Sequence, residues 1–553
     1  MNRHFLLLFL VVSVFTACAQ PQSQNAAPQS NIALQPENFS LDITQLQNFS
    51  TAPGLQSFAF AQHDGKWLFL GGRTDGLHQR QPFASFLAAD NNTNIFVVDP
   101  VNKQVWSSPL SSLGTTYQEQ LQSTNINFKQ VDTILYLVGG YGYSATAADH
   151  ITYPYLTAVN VPMTINAIVN GGNISSGFRQ VQDTAFQVTG GQLDYLDGTF
   201  YLVGGQKFIG RYNPQGPTHG PGFFQRYTEA IRKFQVTDNG STLTFNNYQE
   251  IRDSANLHRR DYNMAPQFFS DGTKGFTVFS GVFQHTANLP WHNTVDVRPA
   301  GYTVRNTFEQ LLSQYHSAKL PVYDSLGNAM HTLFFGGISR YYFNSSGVLM
   351  DDQNAPFVKT ISKITRFSND SMVEYSLAQQ MPGFLGSGAE FIPLRSAPYY
   401  DEEILNINAL PFGRTLVGHI YGGIESSAEN IFFVNDGTQS WASNAIFEVY
   451  IQKDSTTAVR QEALDGENVL ELKSFPNPTV DVLNIEYKVP YYAKHRLFIT
   501  DSMGRTVNTV LDWTKAKGSF GKQISVKNLP NGLYFITLET EGFRRTEKFV
   551  VGQ

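Results

Sequence analysis

The sequence predicts an all-β protein of two folded parts, a six-bladed β-propeller followed by a small C-terminal β-sandwich. Three observations predict it. An apolar strand ending in paired glycines recurs six times along the chain. Tight Asp-Gly turns, at Asp64-Gly65, Asp197-Gly198 and Asp271-Gly272, precede three of those strands, and glycine there accepts the positive φ that a hairpin turn demands. The composition combines 45 Gly, 43 Phe and 26 Tyr with only 15% charged residues, a balance that favours many short strands over long solvated helices.

The chain opens with Arg3 and His4, an apolar run from Phe5 to Phe15, and small residues. That run is too short to span a membrane and reads as a signal peptide over 1–19. Its end has two readings. Ala17-Cys18-Ala19 suits ordinary cleavage between Ala19 and Gln20, whereas Thr16-Ala17-Cys18 resembles a lipobox that would lipidate Cys18. No other segment is apolar enough to cross a membrane as a helix. Residues 20–38 are rich in Gln, Asn, Pro, Ala and Ser and read as a flexible spacer.

The repeats fill residues 39–452. Their glycine pairs are Gly71-Gly72, Gly139-Gly140, Gly204-Gly205, Gly336-Gly337 and Gly422-Gly423, with Ser280-Gly281 as the variant. Each has one strand before it and further strands after it, such as Asn94 to Asp99 and Val105 to Ser108. Four antiparallel strands per unit make a propeller blade. The sixth unit lacks a fourth strand after Asn444–Ile451, and Ser40 to Leu46 is expected to supply it, closing the ring and covering two open edges. The repeated diglycine context resembles the kelch family, in which the glycine pair closes the second strand of every blade. Ser280 and the lack of a regular tryptophan on the fourth strand depart from that pattern.

Residues 453–470 turn polar and read as a linker; 471–553 form the second domain. Short alternating strands separated by Gly and Pro turns predict an immunoglobulin-like sandwich there. Its motifs are Pro476-Asn477-Pro478, the Asp501-x-x-Gly504-Arg505 turn, Leu529-Pro530-x-Gly532-Leu533-Tyr534 and a basic terminal strand. Together they resemble the type A C-terminal sorting domain of Bacteroidetes type IX secretion. The resemblance implies the type IX machinery as a partner and a secreted or outer-surface location. A lipidated Cys18 would be unusual for such a cargo, which favours the Ala19/Gln20 cleavage.

Charge and cysteine usage narrow the function. A formal net charge of −6 with no long Lys/Arg run argues against a nucleic-acid partner. The single cysteine, Cys18, lies in the leader, which leaves the folded parts without a disulfide, a cysteine nucleophile or a cysteine-ligated metal. Copper-radical oxidases built on kelch propellers need a cysteine cross-linked to tyrosine, so that activity is excluded. The histidines are scattered without a helical i, i+4 pair, and neither a metal site nor another cofactor is expected.

The long loops between second and third strands, with the blade-to-blade connections, form the expected binding face. They carry Arg73, His78, Tyr141, Tyr143, Arg211, Tyr212, His285, Trp291, Arg340 and Tyr341, joined by His258, Arg259, Arg260, Asp261 and His316. Aromatic rings beside guanidinium forks suit sugars, carboxylated glycans or peptide surfaces. The expectation is a monomeric, non-enzymatic module that binds glycan or extracellular protein. The alternative is a carbohydrate-active enzyme, glycosidase or sugar-acid epimerase-like, at the propeller mouth, working through groups such as Arg73, Arg260 and Asp261.

Overall fold

The computed structural model describes residues 25–26, 39–81, 83–213, 220, 222–344, 346–453, 470–540 and 544–552. The predicted leader, with Cys18, Ala19 and Gln20, lies outside them, as does most of the linker. The chain divides into two compact units, Met1–Ser455 and Thr456–Gln553. It is all-β, with many small sheets.

In the first unit every glycine-terminated strand is flanked on both sides within an antiparallel sheet. The first sheet runs Ala59–His63, Lys66–Leu70, Asn94–Asp99, Gln104–Pro109. The second runs Asn127–Val131, Ile134–Val138, Tyr155–Asn160, Phe178–Gln182. The third is Gln192–Leu196, Thr199–Val203, Ala230–Asp238, Leu243–Arg252. The fourth is Asn263–Phe268, Lys274–Phe279, Thr294–Arg298, Gly301–Arg305. The fifth contains Ala318–Asp324, Ala329–Ile338, Phe357–Arg366, Met372–Gln380. The sixth combines Phe384–Pro393, Gly413–Ser426 and Ile446–Lys453 with the N-terminal strand Phe39–Gln45. That last strand pairs antiparallel from Phe39 opposite Lys453 to Gln45 opposite Phe447.

The glycine pairs have a steric cause. At Gly139, φ is +68°, and a Cβ would stand 1.8 Å from the carbonyl oxygen of Val188, which leads into the next sheet. Gly336 repeats the arrangement, with φ +61° and Leu385 O at 2.1 Å. The second glycine of a pair then donates its amide to that leading segment: Gly72 to Ser123 O, Gly140 to Val188 O, Gly205 to Arg259 O, and Gly423 to Leu55 O. The pair is where one sheet's backbone meets the next, and a side chain would hold them apart. Ser280 adopts the same left-handed φ of 52° and donates its hydroxyl to Trp291 O at 2.9 Å.

A second set of backbone bonds links the segments just before each first strand. Gly388 donates to His316 O, Ser57 to Gly388 O, Asn125 to Ser57 O, Gly190 to Asn125 O and Asp261 to Gly190 O. These residues stand ahead of or within the first strands of all six sheets in turn. Between sheets the space is filled by apolar clusters, for instance Leu68, Leu70, Ile95, Leu135, Leu137 and Val159 between the first and second.

Several segments read from sequence as loops carry structure of their own. Tyr141–Ser144, Asp149–Thr152, Gln206–Ile209 and Phe224–Tyr227 pair into a separate four-stranded sheet. Val161–Val169 is a helix, capped by Asn160, whose side chain accepts from the Met163 amide at 3.0 Å, with Pro162 in its first turn. In the predicted spacer, Asn25–Ala26 pairs with Asp351 and Met350.

Burial sets how stability answers to pH. Burial pulls the His419 imidazole, 8% exposed, down to about 4, and pulls His331, beside Lys363, down to about 3. Burial pushes Glu374, 3% exposed, up to about 8, although the Leu311 and Leu312 amides donate to it. The two histidines protonate in the unfolded chain near pH 6.5, above their folded values. Their contribution is present above that pH and lost as pH falls toward the folded values. Glu374 has the opposite sign: its contribution is present below its unfolded value of 4.5 and is lost as pH rises through about 8. From 4.5 to 6.5 the two histidines outweigh the one carboxyl, so stability is expected to rise up to about pH 6.5 and to fall from there toward about 8, with about 1.4 kcal/mol at stake per pKa unit. Denaturant melts across the pH range check this. Glu374→Gln should flatten the alkaline limb, and an unchanged limb would refute the assignment.

The C-terminal unit is one five-stranded sheet folded over one core. Val482–Asp501 is paired along its length with Thr506–Ser525; its first half also pairs with Glu471–Phe475 and its second half with Gly532–Thr540, beyond which lies Arg544–Val551. Leu472, Leu483 and Ile485 from one end pack with Leu497, Ile499, Ile536 and Phe549 from the other. The motif residues brace this sheet. Pro476 and Pro478 have no amide to offer, and Asn477 between them substitutes with its side chain, accepting from Val550 N at 2.9 Å and donating to Lys548 O at 3.0 Å. Gly504, at φ +80°, lets the 501–505 turn close, and Arg505 grips Asp501 at 2.8 Å. Gly532 opens the strand in which Tyr534 donates to Pro530 O.

Candidate functional site

The connections following the glycine pairs enclose a cavity of about 520 Å³. Of the sequence candidates, Arg73, His78, Tyr141, Tyr212, Arg260, Asp261 and His316 line it. Phe86, Phe283, Tyr315, Phe432 and Glu429 line it as well and were not singled out from sequence. Phe86 and Phe432 lie in loops whose course only folding sets, and nothing in the linear pattern marks them.

Most of the candidate arginines are engaged internally. Arg73, 2% exposed, forks onto Asp75 at 2.7 Å through two nitrogens and also donates to Leu87 O and Asn91 Oδ1. Arg259, 1% exposed, donates to the carbonyls of Asn256, Ser280 and Asn293 and stacks on Trp291 at 4.9 Å. Burial draws it down to about 9. Arg340 forks onto Asp351 at 2.6 and 2.7 Å and stacks on Tyr341, itself buried. Arg211 donates to Phe83 O. These four staple loops, and Arg211, Arg259 and Arg340 lie outside the cavity lining.

Arg260 is placed differently. It reaches the cavity paired with Asp261, with its Nε donating to the Tyr227 hydroxyl at 3.1 Å and its guanidinium 4.9 Å from the Phe283 ring centre. Burial pulls against its charge, but Asp261 and the hydroxyls of Tyr227 and Tyr212 carry it above its usual range. The same lining carries an aromatic wall. His78 meets Tyr212 edge-on at 4.9 Å and Phe432 at 5.7 Å, and Phe86 meets Tyr141 at 5.3 Å. Burial lowers His78 to about 4, so the ring is neutral near pH 7, and its Nδ1 has no hydrogen-bond partner among the described residues. Tyr141 donates to Gly210 O at 2.7 Å, which fixes its ring as wall.

Tyr143 accepts at its carbonyl from Tyr153 and sits against His150, outside the lining. His258, His285 and Trp291 also lie outside it. His316, at φ 30°, stands 3.3 Å from Glu390 and belongs to both this cavity and a second one of about 580 Å³. The two share Asn125 and Gly190 as well, members of the backbone chain described above.

The second cavity is lined by first strands of all six sheets, among them Gln62, Lys129, Asp194, Pro266, Lys319 and Glu390. Many of its charges are paired with one another. The long 395–414 connection pairs its own Glu402 with Arg395 and brings Asp401 and Glu403 onto Lys274 of the fourth sheet and Lys129 of the second. Lys129 also holds Asp194 at 2.5 Å. The first cavity, with its aromatic wall and Arg260–Asp261 pair, is the candidate site.

Residues 473–552 match a family model described as a secretion system C-terminal sorting domain. This chain is exported by type IX secretion. Its destination is the cell surface or the extracellular space, and among the described residues no helix is long and apolar enough to cross a membrane. The exported protein has no match among curated proteins. Among solved structures it is similar to that of YjhT, at 8% identity over 76% of this chain and 100% of the other, with a TM-score of 0.39. It is similar also to PorZ, a bacterial surface component of the type IX secretion system of Porphyromonas gingivalis, at 10% identity over 90% and 75%, TM-score 0.15. The WD40 domain of fission-yeast SCAP follows at 7% identity over 94% and 91%, TM-score 0.25. Likenesses this loose bear on neither ligand nor activity.

Proposed function

We propose that the exported chain is a six-bladed, kelch-type propeller carrying an immunoglobulin-like sorting sandwich, and that its mouth cavity binds glycan as a non-enzymatic module. The ring reading is supported by the first strands of all six sheets lining one cavity, and by the N-terminal strand completing the sixth sheet. The binding reading rests on one observation: a 520 Å³ cavity whose lining combines an aromatic wall with a paired Arg260 and Asp261. A sugar ring offers C–H faces to Tyr212 and Phe432 and adjacent hydroxyls to a donor–acceptor pair; the cavity volume lies within the range of small-ligand sites.

Glycan-array screening of the purified full-length protein tests this. Asp261→Asn keeps the shape but removes the charge, and should weaken glycan binding roughly ten- to a hundredfold, in line with ~1.5–3 kcal/mol for a charge-assisted hydrogen bond. A blank array, or binding unchanged by Asp261→Asn and Tyr212→Ala together, sinks the proposal. Progressive cleavage or epimerisation of a bound sugar would instead favour the enzymatic alternative.

A further inference from the structure

Three metal-binding side chains converge behind the mouth, outside both cavities. Glu229 stands just ahead of Ala230–Asp238, His258 lies in the connection from the third sheet to the fourth, and His285 lies in the loop between Lys274–Phe279 and Thr294–Arg298. One potential ligand atom from each lies within 4.8 Å of the other two. The three residues come from separate segments, so no linear spacing announces the cluster.

We propose that Glu229, His258 and His285 bind a first-row divalent cation, with Zn²⁺ the best fit, and that the ion ties the loop carrying His285 to the third sheet. Two imidazoles and one carboxylate, with a further position open to solvent beside the exposed His285, form a donor set that suits zinc. The geometry around the donors favours ligation. His285 Nε2 is 2.6 Å from the Ser254 carbonyl, so it donates there and turns its Nδ1 lone pair free. His258 Nδ1 donates to Glu229 Oε1 at 2.7 Å, a proton released to solvent when an ion takes its place; its ring lies 3.7 Å from the Tyr227 ring, and its carbonyl accepts from Trp291 Nε1 at 2.9 Å. The rings of His258 and His285 are 4.0 Å apart, so a small rotation brings both nitrogens to one ion.

Glu229 contributes a further sign. It holds φ at +52°, a conformation costly for glutamate, while its carbonyl accepts from Asp253 N at 2.9 Å. That backbone aims its carboxylate at His258. Arg260, whose positive charge lies nearby, is paired with Asp261. Tyr227 connects the site to the mouth: its ring packs on His258 and its hydroxyl accepts from Arg260 Nε and from the Phe283 amide. A bound ion would therefore stiffen the wall of the mouth formed by Val282 and Phe283.

Full-length protein stripped with a chelator and titrated with Zn²⁺ alone should take up one equivalent by calorimetry, with a rise in melting temperature. His285→Ala changes an exposed side chain and should weaken uptake roughly tenfold or more, as should Glu229→Gln. His63→Ala, at a hairpin outside the cluster, should leave both readings unchanged. Absence of a saturable equivalent in the wild type, or uptake the same in His285→Ala as in wild type, overturns the site. Both readouts are independent of glycan binding, so the metal site and the mouth proposal fail separately.

Discussion

A chain stopped after residue 469 should fold its first unit normally and yet remain behind the outer membrane. The sorting match spans 473–552, and the residues after Thr456 form a compact unit with a core of their own. Removing them takes no strand from any sheet of the first unit, because the sixth sheet is completed by Phe39–Gln45 and Ile446–Lys453. Immunoblots of medium, surface and periplasmic fractions should show the truncated chain shifted wholly to the periplasm, at a size that shows it intact. A finer variant separates signal from fold. Asn477→Ala removes two side-chain bonds to the terminal strand, at a cost of ~1–3 kcal/mol by the usual range for such bonds, and should lower surface yield partially. Truncated protein reaching the medium at wild-type levels would show that 473–552 is dispensable for export.

Gly139→Ala should destabilise the first unit by about 2–5 kcal/mol, summing ~1–2 for a left-handed non-glycine residue and ~1–3 for overpacking. Its Cβ would lie 1.8 Å from Val188 O and 2.9 Å from Phe186 O, both backbone atoms of the segment entering the third sheet. Backbone there cannot swing aside as a side-chain tip would, so the two sheets must part and the Gly140–Val188 hydrogen bond must lengthen. Gly198→Ala is the matched comparison. It too has a positive φ, +82°, but nothing lies within 4 Å of its Cβ. Only the conformational cost of ~1–2 kcal/mol applies there. Denaturant unfolding of both variants measures the difference, and equal losses would show that the close approach of neighbouring sheets carries no weight.

The comparison of these two glycines shows how much of the fold could be read in advance. Gly198 belongs to an Asp-Gly turn, a local requirement visible in two adjacent letters. Gly139 answers a contact with Val188, far along the chain, yet the requirement recurs at five of the six junctions, Ser280 being the exception, and so surfaces as a repeat. That is why the all-β character and the strand sequence were legible. The export signal was legible because Asn477, Gly504 and Gly532 stand in motifs that resemble those of a known sorting domain.

The mouth was legible only in outline. Sequence placed arginines and aromatics in these connections, but Arg259 and Arg340 proved to be loop staples outside the cavity while Arg73 and Arg260 line it, a distinction set by which carboxylates and carbonyls the fold brings near each. Phe86, Tyr315 and Phe432 joined the wall unannounced. The Glu229–His258–His285 cluster lies beyond any linear reading, since its members come from three segments whose meeting depends on how the third and fourth sheets sit together. Requirements that repeat or act locally leave a mark in the chain's own order. Meetings that occur once, between distant loops, are settled by packing and appear only when the chain is folded.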